Sequence, residues 1–517
     1  MNNRYLYFTV FASGMTTLAV EITASRLLGP AFGTSNLVWA AIIGLMLIFL
    51  AMGYSIGGRW SDRSPHPKTL YTILVWGAFT VGLVPLLAKP VLPRVAAAFD
   101  RLEVAILVGA FVGVLVLFVV PITLLGMISP FAIRLGITTP ETAGAVAGKI
   151  YAISTIGSFI GTFLPVLVMI PLLGTVNTFL VFSLFLTVVS MVGLWLHEGK
   201  RGMLPYLWMP VVLILLAFLW GSNPFKTTTG QIYETESAYN YIEVLDVQGY
   251  TMLRLNEGQG VHSIYHPTQL AYYGPWMQFL AAPFFNPDFS PDQVERMAIV
   301  GLAAGTTARQ ATEVFGPIPL DGYEIDPEII AVGREYFGMD IPNLNAYATD
   351  GRIGLVNSPH TYTIIGIDAY RPPYIPWHLT TREFFQTVYD HLDENGVMVI
   401  NVGRAPDDRR LLNGLATTAG SIFPSIHVMD IPGTFNSIMY ATRQPTTPDD
   451  MLVNLSAMLE DPTTHPLLLE SVQRAYTYRR EPPTSTRVFT DDLAPIEWIT
   501  NNMVLQFLIG GGAETLQ

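Results

Sequence analysis

Met297-Ala298-Ile299-Val300-Gly301-Leu302-Ala303-Ala304-Gly305-Thr306 decides how the carboxy-terminal part of the chain folds. Four apolar residues, a turn framed by two glycines and a run to about Phe315 read as strand, tight turn and helix. Without Cβ atoms, Gly301 and Gly305 let a ligand approach the backbone. Asp321-Gly322-Tyr323-Glu324 ends a second strand, and Glu324 stands 23 residues past Gly301. An acid roughly 20 residues after such a turn meets ribose hydroxyls in nucleoside-binding sheets. Asn345 to Ala348, Thr361 to Ile367 and Val397 to Val402 supply three more strands. Alternating strands and helices imply a doubly wound, mostly parallel, Rossmann-like sheet whose chemistry sits at the carboxyl ends of its strands. The candidates there are Gly301 and Gly305, then Glu324 for a ribose, Asp350 with Gly351 for an adenine amino group, and Asp368 facing the crevice that holds or deprotonates a nucleophile. The competing expectation for each acid is helix capping, and Asp326 before Pro327 reads as an N-cap.

Upstream, Tyr241 to Val247 and Tyr250 to Leu255 alternate about Gln248-Gly249, a β-hairpin signature. Downstream, a Pro-, Thr- and acid-rich tail promises helices near Asp450 to Leu459 and Leu467 to Tyr478. His465 and Asp491-Asp492 lack spaced partners, so no metal is expected. The divisions are 1–225, 226–292 with the hairpin, 293–445 with the nucleoside-binding core, and 446–517.

Composition separates the first division from the rest. Residues 1–226 hold 13 Lys and Arg against 6 Asp and Glu, whereas residues 227–517 hold 15 Arg, no Lys and 34 Asp and Glu. The net charge of −12 therefore belongs to the carboxy-terminal part. Such acidity argues against nucleic acid as a partner, because phosphate binding needs a basic surface. With no cysteine, disulfides and thiolate metal sites are excluded as well. Seven stretches, about 5–28, 38–57, 69–90, 104–133, 147–171, 174–196 and 204–222, are apolar over the length that spans about 30 Å of hydrocarbon. The first is longer than a signal-peptide core, and more spans follow it. Pro121, Pro130, Pro165 and Pro171 predict kinks. Gly157 and Gly161 form a small-xxx-small pair, expected to pack helices within the chain. Glu21 and Arg26, late in the first span, read as a structural pair ahead of a proton relay. Gly53 to Arg63 resembles one short loop of major facilitator transporters, but a basic loop fixing topology is the preferred reading. The expectation is a multi-pass protein of the cell membrane with lipid around it. Loop charges favour a cytoplasmic amino terminus, which after seven spans puts the acidic part outside; a cytoplasmic cofactor argues the reverse.

The motifs together resemble the spermidine synthase-like (polyamine aminopropyltransferase) family, specifically its membrane-fused branch. The likeness runs through Ser237 to Ile242, Leu255 to Gly258, the glycine turn, Tyr323-Glu324-Ile325-Asp326-Pro327, Asp350-Gly351-Arg352, Asp368, Ile375 to Phe385 and Phe489 to Glu497, and through Glu21 to Gly33 and Gly126 to Arg134 in the spans. It implies a polytopic helical membrane domain followed by an α/β domain of methyltransferase and spermidine synthase type. It also implies decarboxylated S-adenosylmethionine or S-adenosylmethionine as cofactor, with Glu324 on the ribose, Asp350 on the adenine and Asp368 orienting and deprotonating an attacking amine. Tyr239, Tyr370 and Arg371 would line the acceptor site.

Departures from the family pattern fall on the acceptor and ammonium contacts. Ala304 stands where an acid holds the cofactor's ammonium, and Arg371 replaces the second acid after strand four. Asn240 replaces a Gln, and Tyr273-Gly274-Pro275 stands where an acid follows the Tyr of the next helix. A guanidinium in place of a carboxylate repels a polyamine and suits an anionic ligand. The leading expectation is a membrane-anchored transferase with an acceptor other than putrescine. The alternatives are an inactive homologue acting as a scaffold or assembly component, and a transporter-like protein with a regulatory nucleoside-binding domain. A homo-oligomer or a membrane-complex partner is compatible with each.

Overall fold

A computed structural model of the chain describes residues 3–33, 36–99, 104–220, 226, 228–256, 260–370, 374–482 and 485–509. It forms two compact units, Met1–Thr228 and Thr229–Gln517.

The first unit is helical: α1 Asn3–Phe32, α2 Asn36–Arg63, α3 Pro67–Phe99, α4 Val104–Gly126, α5 Ile128–Gly136, α6 Ala143–Leu164, α7 Ile170–Met203 and α8 Trp208–Trp220. By length and composition, five described helical stretches can cross a membrane: Arg4–Phe32, Val38–Arg63, Pro67–Val95, Val108–Gly136 and Pro140–Tyr206. The sequence reading expects seven, and the difference has two sources. Pro140–Tyr206 is one run of 67 residues, interrupted at Gly174 (φ 76°, ψ 171°). The 13 residues of α8 rise about 20 Å, short of a hydrocarbon core of about 30 Å. A π turn at Pro165–Met169 joins α6 to α7, where the prolines predict a break. Leu172 and Phe218 leave 76% and 81% of their surfaces uncovered, and Leu47, Phe159 and Leu167 are also exposed. Apolar exposure on this scale suits a lipid solvent rather than water.

Helix contact in this unit is made by backbone. A Cβ on Gly157 or Gly161 would strike the carbonyl oxygens of Phe11 and Met15, and one on Gly14 would lie 2.5 Å from that of Ser154. The expected small-residue pair thus packs α6 directly on α1, as small-xxx-small faces allow. Glu21 is buried on α1 and Arg26 is partly covered.

The second unit holds two sheets. β1 Gln231–Glu236, β2 Tyr241–Val247, β3 Tyr250–Leu255 and β4 Ser263–Tyr265 form an antiparallel meander in sequential order. The β2–β3 hairpin has the extents expected from its alternation. The larger sheet contains β5 Met297–Val300, β6 Leu320–Glu324, β7 Leu344–Ala348, β8 Tyr362–Ile367, β9 Leu392–Gly403, β10 Ser425–Asp430, β11 Asn436–Thr442 and β12 Arg479–Arg480. Its order is β12-β10-β11-β9-β8-β5-β6-β7. β7, β6, β5, β8 and β9 are mutually parallel, and β11, β10 and β12 continue antiparallel. The chain reverses its winding between β5 and β8, the place where doubly wound sheets hold ligands.

Both faces of this sheet are covered, so its strands are apolar on both sides. Met297, Ile299, Val397 and Val399 pack under a fully buried 3-10 stretch, Trp276–Phe285, with α9 Thr306–Phe315, α10 Pro327–Tyr336, and the helices α14 Pro448–Glu460 and α15 Pro466–Thr477. The alternate residues Ala298, Val300, Met398 and Ile400 face α11 Gly351–Val356, α12 Arg382–Asp390, α13 Arg410–Gly420 and α16 Ile496–Ile509. The smaller sheet packs Ile242, Val244, Leu253 and Leu255 on Ala304, Ile329 and Val332, beside the glycine turn.

Candidate active site

The glycine turn is held shut by its neighbours. Gly301 (φ 87°) and Gly305 (φ 82°) take left-handed conformations that a side chain strains. A Cβ on Gly301 would lie 2.5 Å from the carbonyl oxygen of Asp368 and 2.6 Å from Ala369 Cα, so the first turn touches the end of β8. Gly305 packs against Met339. Ser263 accepts from Ala304 N at 2.9 Å, and Thr306 exchanges hydrogen bonds with Ile264, which pins β4 to the turn.

Glu324 ends β6 with its carboxylate against this turn. Oε2 accepts from Ala303 N at 2.9 Å and Oε1 from Asp326 N at 3.1 Å. Burial raises its pKa from 4.5 to about 7, although these backbone donors favour the charged form. Each oxygen keeps a lone pair, the capacity that two ribose hydroxyls require. Asp326 caps α10 as expected, accepting from Glu328 N. Its other oxygen accepts from Ser237 Oγ at 2.5 Å and Asn240 Nδ2 at 2.9 Å. This anchors the loop carrying Tyr239, whose side chain is exposed.

Asp350 is the acid for which capping accounts for most of its bonding. Oδ1 accepts from Arg352 N and Ile353 N at the start of α11, and Oδ2 pairs with His378 Nε2 at 2.9 Å. The bond to His378 lowers its pKa, with burial opposing. One lone pair on Oδ2 remains for a ligand. Gly351 serves packing, since a Cβ there would strike Val300. His465, one of the residues considered for metal, caps α15 through Nδ1. Asp491, another, is gripped by both terminal nitrogens of Arg352 at 2.8 and 2.7 Å.

Asp368 follows β8, its backbone N–H bonded to Val300 O at 2.8 Å. Oδ1 accepts from Asn401 Nδ2 at 2.9 Å. Burial raises its pKa from 3.8 to about 6, against the Asn401 bond, so the carboxylate titrates close to neutrality. Asn401 Oδ1 is buried with no hydrogen-bond partner among the described residues. An orphaned buried acceptor beside a carboxylate suits an N–H donor from a ligand. The sequence reading missed Asn401, although a polar residue inside the apolar run Val397 to Val402 was its signal. Tyr370 is brought to the same place, but its hydroxyl donates to Asn401 O at 3.0 Å and accepts from Gly403 N at 2.8 Å. Its ring, not its hydroxyl, is left for an acceptor. Arg371 lies outside the described residues.

No family model matches the chain. A probable polyamine aminopropyl transferase of Bifidobacterium longum is 30% identical over 295 residues, covering 54% of this chain and 64% of its own length. The chain thus spans less than two thirds of that relative. A polyamine aminopropyltransferase of Vibrio vulnificus is 25% identical over 298 residues, covering 55% of this chain and 97% of its own. Among solved structures, a probable spermidine synthase from Corynebacterium glutamicum covers 50% of this chain and 99% of its own at 18% identity and a TM-score of 0.38. The fold is read here from the strand order itself. Over about half of its length, then, the chain is similar in sequence to polyamine aminopropyltransferases.

Proposed function

We propose that the chain is a membrane-anchored transferase that moves an aminopropyl or related group from decarboxylated S-adenosylmethionine, or its parent, to an amine other than putrescine. The observation carrying this reading is the pair Asp368 and Asn401 beside the glycine turn: a carboxylate whose pKa burial raises to about 6, next to a buried acceptor with no partner among the described residues. The bound sulfonium supplies a neutral thioether as leaving group. Glu324 accepts the ribose hydroxyls, and Asp350 offers its remaining lone pair to the adenine edge. Asn401 Oδ1 orients the acceptor nitrogen, and Asp368 takes its proton. As the nitrogen lone pair forms the new N–C bond, the C–S bond breaks and its electrons stay on sulfur. Alignment and proton removal are most of what such a displacement needs. Tyr239 and Tyr370 flank the acceptor, with Arg371 in place of a family acid.

The amino-terminal unit is read as a multi-pass anchor in the cell membrane, with the Gly174 break separating two spans and the short α8 making a seventh only where the bilayer thins to match it. Support comes from the apolar stretches and from the relatives' printed names, which are transferases. The test is release of methylthioadenosine by the purified full chain, supplied with decarboxylated S-adenosylmethionine and a panel of amines. Asp368→Asn should lower kcat by about 100-fold or more while methylthioadenosine still binds. Unchanged turnover in that variant would remove Asp368 from the chemistry.

A further inference from the structure

Beyond Asn401, the same edge of the sheet carries charged side chains that the transfer does not use. Asp430 ends β10 with its side chain 9% exposed. Ser437 Oγ donates to it at 2.7 Å, Arg404 Nε lies at 3.2 Å, Arg480 Nε at 3.0 Å, and Arg409 completes the set. Three segments converge here: the residue after β9, the residue before α13, and β12. Three guanidiniums against one carboxylate leave two positive charges in excess. Arg404 also donates through Nε to Ser437 Oγ at 3.0 Å and through Nη2 to Thr434 O at 3.4 Å, whereas Arg409 and Arg480 bring about ten N–H groups, most without a place on the carboxylate. Asp408, the acid beside Arg409 in sequence, is clasped by Arg410 at 2.9 Å.

This surplus is unlike the unit as a whole, where acids outnumber arginines by 34 to 15. The Arg404 side chain is only 11% exposed. Burial, with repulsion from Arg409 and Arg480, holds its pKa below the ordinary value although Asp430 opposes. Arg409 and Arg480 stay open to solvent at 30% and 58% exposure, so like charge crowded at this rim attracts a counter-ion from solution, and forked guanidiniums match the oxygens of carboxylates and phosphates. Arg404 lies three residues beyond Asn401, about 10 Å along the strand. Gly403, its neighbour, donates to Tyr370.

We propose that Arg404, Arg409 and Arg480 form an oxyanion site for a carboxylate or phosphate group, and that the acceptor amine carries this group. The second half rests on the transferase reading; the site itself does not.

The test uses the full chain in nanodiscs of phosphatidylcholine, titrated separately with inorganic phosphate and with methylthioadenosine. Phosphate should bind saturably. Arg480→Gln, at an exposed position, should weaken it about tenfold, and Asp430→Asn, which removes the competing carboxylate, should strengthen it about tenfold. Phosphate that does not bind, or that binds Arg480→Gln and Asp430→Asn as it binds the parent, overturns the site. If methylthioadenosine binds while phosphate does not, the site falls and the transferase reading is untouched. If phosphate binds as described and methylthioadenosine does not, the site stands and the acceptor assignment falls with the transferase reading. Repeating the titration in discs containing phosphatidylglycerol separates the sources. Suppressed phosphate binding there marks a lipid headgroup as the occupant, and unchanged binding marks a water-soluble acid.

Discussion

Glu324 and Asp368 are carboxyl groups that burial moves toward neutrality, and stability records that shift. For Glu324 the folded pKa, about 7, lies above the ordinary 4.5. Its contribution to the ligand-free fold is therefore fully present below about pH 4.5 and is lost as pH rises through about 7. The shift corresponds to roughly 3 kcal/mol. Glu324→Gln should melt at about the parent's temperature near pH 4.5 and increasingly above it toward pH 8, as thermal denaturation will measure. A constant difference across that range would contradict the burial argument. Asp368 predicts the companion effect on rate. kcat/KM should climb with unit slope on the acid side and level off above about pH 6, where its carboxylate is ionised. The sequence placed Glu324 and Asp368 correctly at strand ends, because a strand pattern and one spacing suffice for that. It could not say that Asp350 spends most of its acceptors on α11 and His378, since His378 is 28 residues away and only the fold brings it near.

At the level of elements, two glycines with similar φ separate steric contact from backbone strain. Gly301 (φ 87°) faces the backbone of Asp368 and Ala369, whereas Gly316 (φ 76°), after α9, has open space around it. Gly316→Ala should cost about 2 kcal/mol, because φ 76° with ψ −167° is a conformation nearly closed to alanine. Gly301→Ala should cost several-fold more and abolish nucleoside binding, because β8 must move; equal losses of melting temperature would refute the close approach. In the amino-terminal unit, Gly161→Leu would drive a side chain into α1 at Met15. Proteolysis of the detergent-solubilised chain should then become faster within α1 and α6. Strand positions were legible throughout the parallel part of the sheet, together with α9 and the start of α10 at Asp326. The antiparallel strands β10 to β12 and the buried 3-10 stretch at Trp276–Phe285 were not. Their register depends on partners remote in sequence, and a wholly buried segment has no periodicity to read.

For the whole molecule, division into an apolar half and an acidic half was plain from charge alone, and the chain passes from the first unit to the second after Thr228. The number of spans was harder to read: the division expected between 171 and 174 coincides with the break at Gly174, whereas hydropathy does not register the shortness of α8. The side of the membrane that holds the acidic unit follows from that number. Seven spans with a cytoplasmic amino terminus put it outside, away from a cytoplasmic sulfonium supply. Protease digestion of inside-out and right-side-out vesicles decides between the two, and a transferase supplied from the cytoplasm predicts cleavage of the acidic unit only in inside-out vesicles. The central claim, that the glycine turn and Glu324 form a working nucleoside site, is tested most directly by isothermal titration of methylthioadenosine into the full chain and into Glu324→Ala. The account predicts saturable one-to-one binding to the parent and none to the variant. Absence of binding to the parent, or equal binding to both, would contradict it.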